Sequence, residues 1–288
     1  MPTHAETPKL PANLNLPSPA SARELLPLKC ITDHGDKRIS EYSPDVLVKF
    51  GAHVEAEVRA LKYLHGRLSF RTPQVLHHAP FPGKPLTPWE WRDGCWYFFM
   101  DKCPGVPLDT VIQKMSPAEL DHIADQLLAV LKEMRAIKST TIGALDGGPF
   151  DNRFMPYPWQ PSKAFASVSQ YLEYYRKLFL DICGPDYVKE LFAPFPSGAN
   201  VPVHLTHGDL VPRNILVQGS TITAIIDWET AGFYPEFWEY CRMHERSWMS
   251  PQWSRVLARV FPGPKREKEI DAVGRIIRLL RDNDSTYC

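Results

Sequence analysis

Between Val201 and Asp227 short apolar runs alternate with turn residues, and few chain arrangements satisfy that pattern. Val201 to Leu205, Ile215 to Val217 and Ile222 to Ile226 are too short for stable helices and rich in β-branched side chains, so they predict strands. Gln218-Gly219-Ser220-Thr221 turns the last two into a hairpin. The hairpin returns the chain, at Asp227, to the side of the loop His207-Gly208-Asp209-Leu210-Val211-Pro212-Arg213-Asn214. Polar residues distant in sequence are thereby gathered at the ends of strands.

Those residues match the needs of phosphoryl transfer: a carboxylate to orient an acceptor and take its proton, oxygen ligands for magnesium, and positive charge on the phosphates. Asp209 is the candidate catalytic carboxylate, with Gly208 permitting a tight backbone and Pro212 stiffening the approach to the next strand. Asn214 follows five residues later, and the hairpin brings Asp227 back beside its amide. Both offer the hard oxygen atoms that magnesium prefers. Taken singly, aspartate or asparagine in a loop more often serves the turn itself. The order of the whole set points to chemistry.

Upstream, Val46, Val48 and Phe50 alternate with Leu47 and Lys49, which predicts a half-buried strand from Pro44 to Phe50 with Lys49 projecting from it. Val54, Val58, Leu61 and Leu64 then recur at helical spacing, with Glu57 on a neighbouring face. Trp96 to Met100 reads as a buried strand, and Asp101-Lys102-Cys103-Pro104-Gly105 stops it, marking a domain boundary. Ser116, Pro117 and Glu119 form a helix start. Leu120, Ile123, Leu127, Leu131, Met134 and Ile137 carry that helix's apolar stripe towards Lys138. A further helix is expected around Phe165 to Leu180, and helical character again from Pro235 onward. Gly143 to Pro161 is a long glycine- and proline-rich loop that lines a site or is a plain surface excursion.

Composition narrows the function classes. Among 288 residues, 33 lysines plus arginines balance 33 aspartates plus glutamates, and no block of like charge offers a footprint for nucleic acid or an anionic membrane. The six cysteines are scattered without zinc spacing, as reduced intracellular thiols are. No signal-peptide pattern opens the chain and no apolar run reaches the ~20 residues of a membrane span, so a cytoplasmic location is expected. Prolines crowd residues 1–23, predicting an extended or disordered arm. An N-lobe over 24–103 and a C-lobe over 104–288 complete the expected division.

His207-Gly208-Asp209 with Asn214-Ile215-Leu216-Val217, followed by Ile225-Ile226-Asp227-Trp228-Glu229 and Ala231-Gly232, resembles the aminoglycoside phosphotransferase-type kinases, particularly their fungal branch. Val48-Lys49-Phe50-Gly51, Glu57, Pro73-Gln74-Val75, Phe99-Met100-Asp101 and Pro104-Gly105 extend the likeness upstream in the order that family uses. The resemblance implies an α+β, bilobal protein-kinase-like fold, a small β-rich N-lobe and a larger mostly helical C-lobe with ATP between them. It implies that Lys49 contacts the α- and β-phosphates, that Glu57 holds Lys49 by an ion pair, and that the backbone of Asp101 and Cys103 meets the adenine. Asp209 would be the catalytic carboxylate, and Asn214 with Asp227 would bind Mg2+. His207 reads as a structural histidine.

Several positions depart from protein kinases. Asp227-Trp228-Glu229 replaces Asp-Phe-Gly, which suits a small-molecule acceptor, and Val211 stands where a catalytic-loop lysine would be, with Arg213 adjacent. The phosphate-covering loop, within Ile31 to Ser40, has Gly35 as its only glycine. The absence of a Gly-x-x-x-x-Gly-Lys-Ser/Thr run sets aside the P-loop kinases. For the acceptor, Glu229, Glu236, Glu239 and Glu245 lie among Trp228, Trp238, Tyr240, Trp248 and Trp253. This is either an acidic, aromatic wall for a cationic amino-alcohol or aminoglycoside-like metabolite, or simply core. The expected activity is transfer of the γ-phosphoryl group of ATP to a hydroxyl of a small molecule; the alternative is a non-catalytic kinase-like binding or regulatory module.

Overall fold

The computed structural model of the protein describes residues 16–19, 24–33, 37–51, 54–81, 96–155, 159–196 and 201–282. Most of the expected N-terminal arm, and Gly35, lie outside the described residues. The chain divides into two compact units, Met1–Glu55 with Pro73–Lys102, and Ala56–Thr72 with Cys103–Cys288. No described helix is long and apolar enough to cross a membrane.

The first unit is β-rich. Strands β1 (Lys29–Asp33), β2 (Lys37–Ser43), β3 (Val46–Gly51), β4 (Val75–Pro80) and β5 (Trp96–Asp101) form one antiparallel sheet in the order β1-β2-β3-β5-β4. The predicted alternation is visible in β3: Val46, Val48 and Phe50 pack with Leu25, Tyr97 and Phe99 in one core. Each such side chain stabilises the unit by about 1.5–3 kcal/mol. Lys49 falls on the opposite face of the pleat, cross-strand from Phe98, and is only 2% exposed.

The second unit is mostly helical. Its elements are α1 (Val54–Leu64, from Ala56 onward), β6 (Val106–Pro107), α2 (Pro117–Ala136), α3 (Val168–Leu180), α4 (Pro185–Phe192), β7 (Val203–Thr206), β8 (Ile215–Gln218), β9 (Thr221–Ile225), β10 (Gly232–Pro235), α5 (Phe237–Met243), α6 (Pro251–Val260) and α7 (Glu267–Asp282). From Ala56 onward, α1 makes its contacts within this unit. Glu57 accepts from the Trp228 amide, Arg59 pairs with Asp146 and Asp151, and Tyr63 meets the ring of Phe233.

Ser116 and Glu119 form the expected capping box, the Ser116 hydroxyl accepting from Glu119 N at 3.3 Å while the Glu119 carboxylate accepts from Ser116 N at 2.8 Å. A cap of this kind stabilises a helix by about 1 kcal/mol. Helix α2 stops at Ala136, short of the predicted Lys138, because the Ile137 carbonyl turns to accept from Leu205 N at 2.8 Å. Helix α3 begins three residues after the expected Phe165, whose backbone is instead paired with Ile142. Helix α4 has no counterpart in the sequence reading.

The hairpin of β8 and β9 closes with Gln218 opposite Thr221, as expected, and β6 adds to the β8 edge. Strands β7 and β10 pair separately. Beneath them Phe150, Phe154, Tyr171, Tyr175, Tyr234 and Trp238 form an aromatic core, with Tyr234 and Trp238 stacked at 5.4 Å. Phe154 of that core lies against the guanidinium groups of Arg153 and Arg242, at 5.6 and 5.4 Å, and both arginines reach Asp209.

Candidate active site

Strand β7 delivers His207 and Asp209 into a loop whose backbone is held from several sides. Gly208 adopts φ +82°, and a Cβ there would lie 2.9 Å from the Thr230 carbonyl oxygen, so both conformation and space demand glycine. Glu239 of α5, wholly buried, accepts from the amides of His207 at 2.5 Å and Gly208 at 3.2 Å. Burial pushes its carboxyl above the ordinary range, while His207 and these amides pull the other way. His207 Nδ1 accepts from Asp209 N at 3.2 Å, so Nε2 carries the proton it donates to the Ile226 carbonyl at 3.0 Å. With its ring against Trp228 at 4.5 Å, His207 is the structural histidine the sequence suggested.

Asp209 is 1% exposed and its carboxylate is densely occupied. Oδ1 accepts from Arg242 Nη2 at 2.7 Å. Oδ2 accepts from Arg213 Nη2 at 2.7 Å and Asn214 Nδ2 at 3.1 Å, and Arg153 Nη2 stands 2.9 Å from it. Burial alone would raise this acid; Arg153, Arg242 and Arg213 overcome it and hold Asp209 well below the usual carboxylate range. Burial likewise works against the charge of Arg153, but Asp209, Glu229 and Asp227 outweigh it and its acidity falls further.

Three arginines thus surround Asp209, of which only Arg213 stands beside it in the sequence motif. Arg242 comes from α5 and also donates from Nε to the Gly208 carbonyl at 2.9 Å and from Nη1 to Glu245. Arg153 comes from the irregular loop after Gly143, which therefore reaches the candidate site and is no mere surface excursion. Neither had a spacing signal in the sequence.

Asn214 spends its amide nitrogen on Asp209, on the carbonyl at 2.8 Å as well as the carboxylate, which leaves its side-chain oxygen for other partners. Ile226 N donates to the Asn214 carbonyl at 3.0 Å, so the hairpin does bring the residue before Asp227 back to Asn214. Asp227 itself is left-handed, at φ 64° and ψ 62°, the one such non-glycine residue among those described. That conformation costs about 1–2 kcal/mol in a non-glycine residue and turns the chain away from the strand. Trp228 N, immediately after, donates to Glu57 Oε1 at 3.2 Å.

Carboxylate oxygens of Glu57, Asp227 and Glu229 lie within 4.8 Å of one another. Such a cluster of hard oxygen donors suits a divalent cation such as magnesium. Asp227 was expected in the metal set; Glu57 and Glu229 were not. Glu57, at 1% exposed, is no surface carboxylate, and Lys49 is no solvated strand lysine.

The adenine-contact candidates differ in setting. Asp101 donates its N–H to the Gln74 carbonyl at 3.2 Å and accepts from Gln74 N on its side chain at 2.5 Å. Cys103 packs with Leu216, Ala224 and Ile226.

Of the acidic and aromatic residues singled out for the acceptor, Glu236 is exposed and Glu245 and Trp248 are half-buried, while most of the others belong to the core. Trp228, Trp238 and Trp253 are fully buried, Glu239 is consumed by loop amides, and Glu245 by Arg242. Glu229 pairs with Arg153 at 3.5 Å beside the metal-type cluster. Helical spacing had placed these side chains in the core.

No protein of curated function matches the chain. Its fold is similar to the GDP complex of wild-type aminoglycoside 2'-phosphotransferase-IIIa, at 16% identity and TM-score 0.62, covering 90% of this chain and 87% of that one. It is similar to the streptomycin-ATP-APH(2")-IIa ternary complex, at 14% identity and TM-score 0.63, over 89% and 86% of the two chains. ADP-bound APH(2'')-Ib matches at 14% identity and TM-score 0.61, over 92% and 91%. These likenesses show a bilobal, protein-kinase-like fold. A family profile described as "Phosphotransferase enzyme family" matches residues 47–272, and the chain belongs to that family.

Proposed function

We propose that the protein is an ATP-dependent small-molecule kinase that moves the γ-phosphoryl group to an acceptor hydroxyl, with Asp209, Asn214 and Asp227 as its catalytic residues. The observation that carries this reading is Asp209, a buried carboxylate kept ionised by arginines, with Asn214 on the same carboxylate oxygen and the Glu57, Asp227 and Glu229 cluster in the same unit.

In the reaction the acceptor hydroxyl oxygen forms a bond to the γ-phosphorus, the bond from that phosphorus to the β,γ-bridging oxygen breaks, and ADP leaves. The hydroxyl proton passes to Asp209. A carboxylate held so acidic is a weak base, which suits a loose transition state in which the hydroxyl loses its proton late and orientation dominates. Asn214 and Asp227 would hold Mg2+, with the carboxylates of Glu57 and Glu229 at hand; when bound, the ion neutralises phosphate charge. Lys49 would contact the α- and β-phosphates, and the backbone of Asp101 and Cys103 would receive the adenine.

The test is Mg-ATP hydrolysis in the absence of acceptor, followed by ADP release. Wild type should hydrolyse ATP slowly and Asp209→Asn should lose at least about tenfold of that rate, the effect of one missing transition-state contact. Equal rates in the two proteins would contradict the mechanism, and a protein that binds Mg-ATP without any turnover would be a binding module.

A further inference from the structure

Resting on the kinase reading above, we propose that the acceptor is an anion, a hydroxyl compound bearing a carboxylate or phosphate group, and that Arg153 and Arg213 hold that group.

The first argument is occupancy. A carboxylate has about four lone-pair sites over its two oxygens. Oδ2 of Asp209 already meets three donors, from Arg213, Asn214 and Arg153, and Oδ1 meets Arg242. An acceptor hydroxyl that donates to Oδ2, the oxygen facing Arg153 and Arg213, must therefore displace one of the three. Asn214 is tied to the Asp209 carbonyl, and Arg242 to the Gly208 carbonyl and Glu245. Only Arg153 and Arg213 can yield: their side chains are 28% and 35% exposed, against 5% for Arg242.

The second argument is what a displaced guanidinium needs. Arg213 rests on the face of Trp248 at 4.5 Å, and Asp209 is its one carboxylate partner among the described residues. Arg153 keeps Glu229 at 3.5 Å, a carboxylate shared with the metal-type cluster, and its buried Nε–H has no partner. Two guanidinium forks beside the reacting hydroxyl match a planar carboxylate or a phosphate. A cationic acceptor would instead place its ammonium among three guanidiniums. Of the four acids that could have greeted it, Glu229, Glu239 and Glu245 are already committed.

The experiment uses the full chain with Mg-ATP and a panel in matched pairs. The pairs are glycerate against glyceramide, gluconate against its amide, and glycerol phosphate against glycerol, with choline, ethanolamine and kanamycin as cations. The expected result is kcat/KM at least about tenfold higher for the acid or phosphate than for its uncharged partner, the scale of a hydrogen bond to a charged group. The carboxylate and phosphate arms show which anion is taken. In Arg153→Gln with Arg213→Gln the anion-to-neutral ratio should fall towards one through KM for the acceptor, while the lysine pair at the same positions should restore part of it. Thermal melting of wild type with each compound gives a second readout that does not depend on turnover. Preference for the cations, an unchanged ratio in the glutamine variant, or neither stabilisation nor turnover with every anion would overturn the proposal. If acceptor-free ATP hydrolysis still depends on Asp209, the kinase reading stands even then; if it does not, that reading fails first.

Discussion

Replacing Arg242 by methionine tests whether a buried guanidinium carries the Asp209 loop. Methionine keeps the apolar stem against Phe154, over whose ring the guanidinium lies at 5.4 Å, and removes the hydrogen bonds. Asp209 Oδ1 loses a charge-assisted bond of 2.7 Å, a loss of about 1.5–3 kcal/mol, and the Gly208 carbonyl loses one of 2.9 Å, about 1 kcal/mol. The Glu245 contact adds little because that carboxylate is 29% exposed. The sum, about 3 kcal/mol, sits at the lower end of the range for removing one partner of a buried ion pair, as Asp209 keeps Arg153 and Arg213. Urea unfolding followed by the fluorescence of buried Trp228, Trp238 and Trp253 measures it. The loss should also depend on pH. Asp209 is more acidic folded than unfolded, so it contributes stability that is present above the unfolded value of about 3.9 and lost only as pH falls through the lower folded value. Without Arg242 the folded value rises but Arg153 and Arg213 keep it below the unfolded one, so the gap between wild type and variant should be full at pH 7 and narrow only as pH falls through the variant's folded value. A destabilisation under about 1 kcal/mol at pH 7, or a gap that widens in acid, would refute the reasoning.

Two further outcomes are expected. Asp227→Ala should abolish the magnesium dependence of ATP binding, read by titration with nucleotide with and without the metal, because the acidic cluster loses one of its three carboxylates; unchanged magnesium dependence would remove Asp227 from the metal site. Gly208→Ala should lower stability by about 2–4 kcal/mol, since alanine is strained at φ +82° and its methyl would meet Thr230; a change under about 1 kcal/mol in urea would mean that Thr230 yields.

The two arginines that escaped the sequence reading share a cause. Arg153 and Arg242 are 56 and 33 residues from Asp209, one on an irregular loop and one on a helix whose stripe reads as core. Neither periodicity nor a turn signal connects them to the catalytic loop. The glutamates near α5 stay open between wall and core in the sequence for the related reason that sequence shows spacing but not direction: Glu239 turns inward to the amides of His207 and Gly208.

Local pattern alone determined the strand of Lys49, the helix of Glu57, the capping box of α2 and the hairpin returning to Asp227, because alternation, helical period and turn residues act within a few neighbours. It also gave the family, through an ordered set of short motifs. Only the tertiary structure decided the charge around Asp209, the gathering of Glu57 with Asp227 and Glu229, and the burial of Trp228, Trp238 and Glu239. Those depend on which side chains meet across long loops, where desolvation and ion pairing compete, and no neighbour in sequence records the outcome.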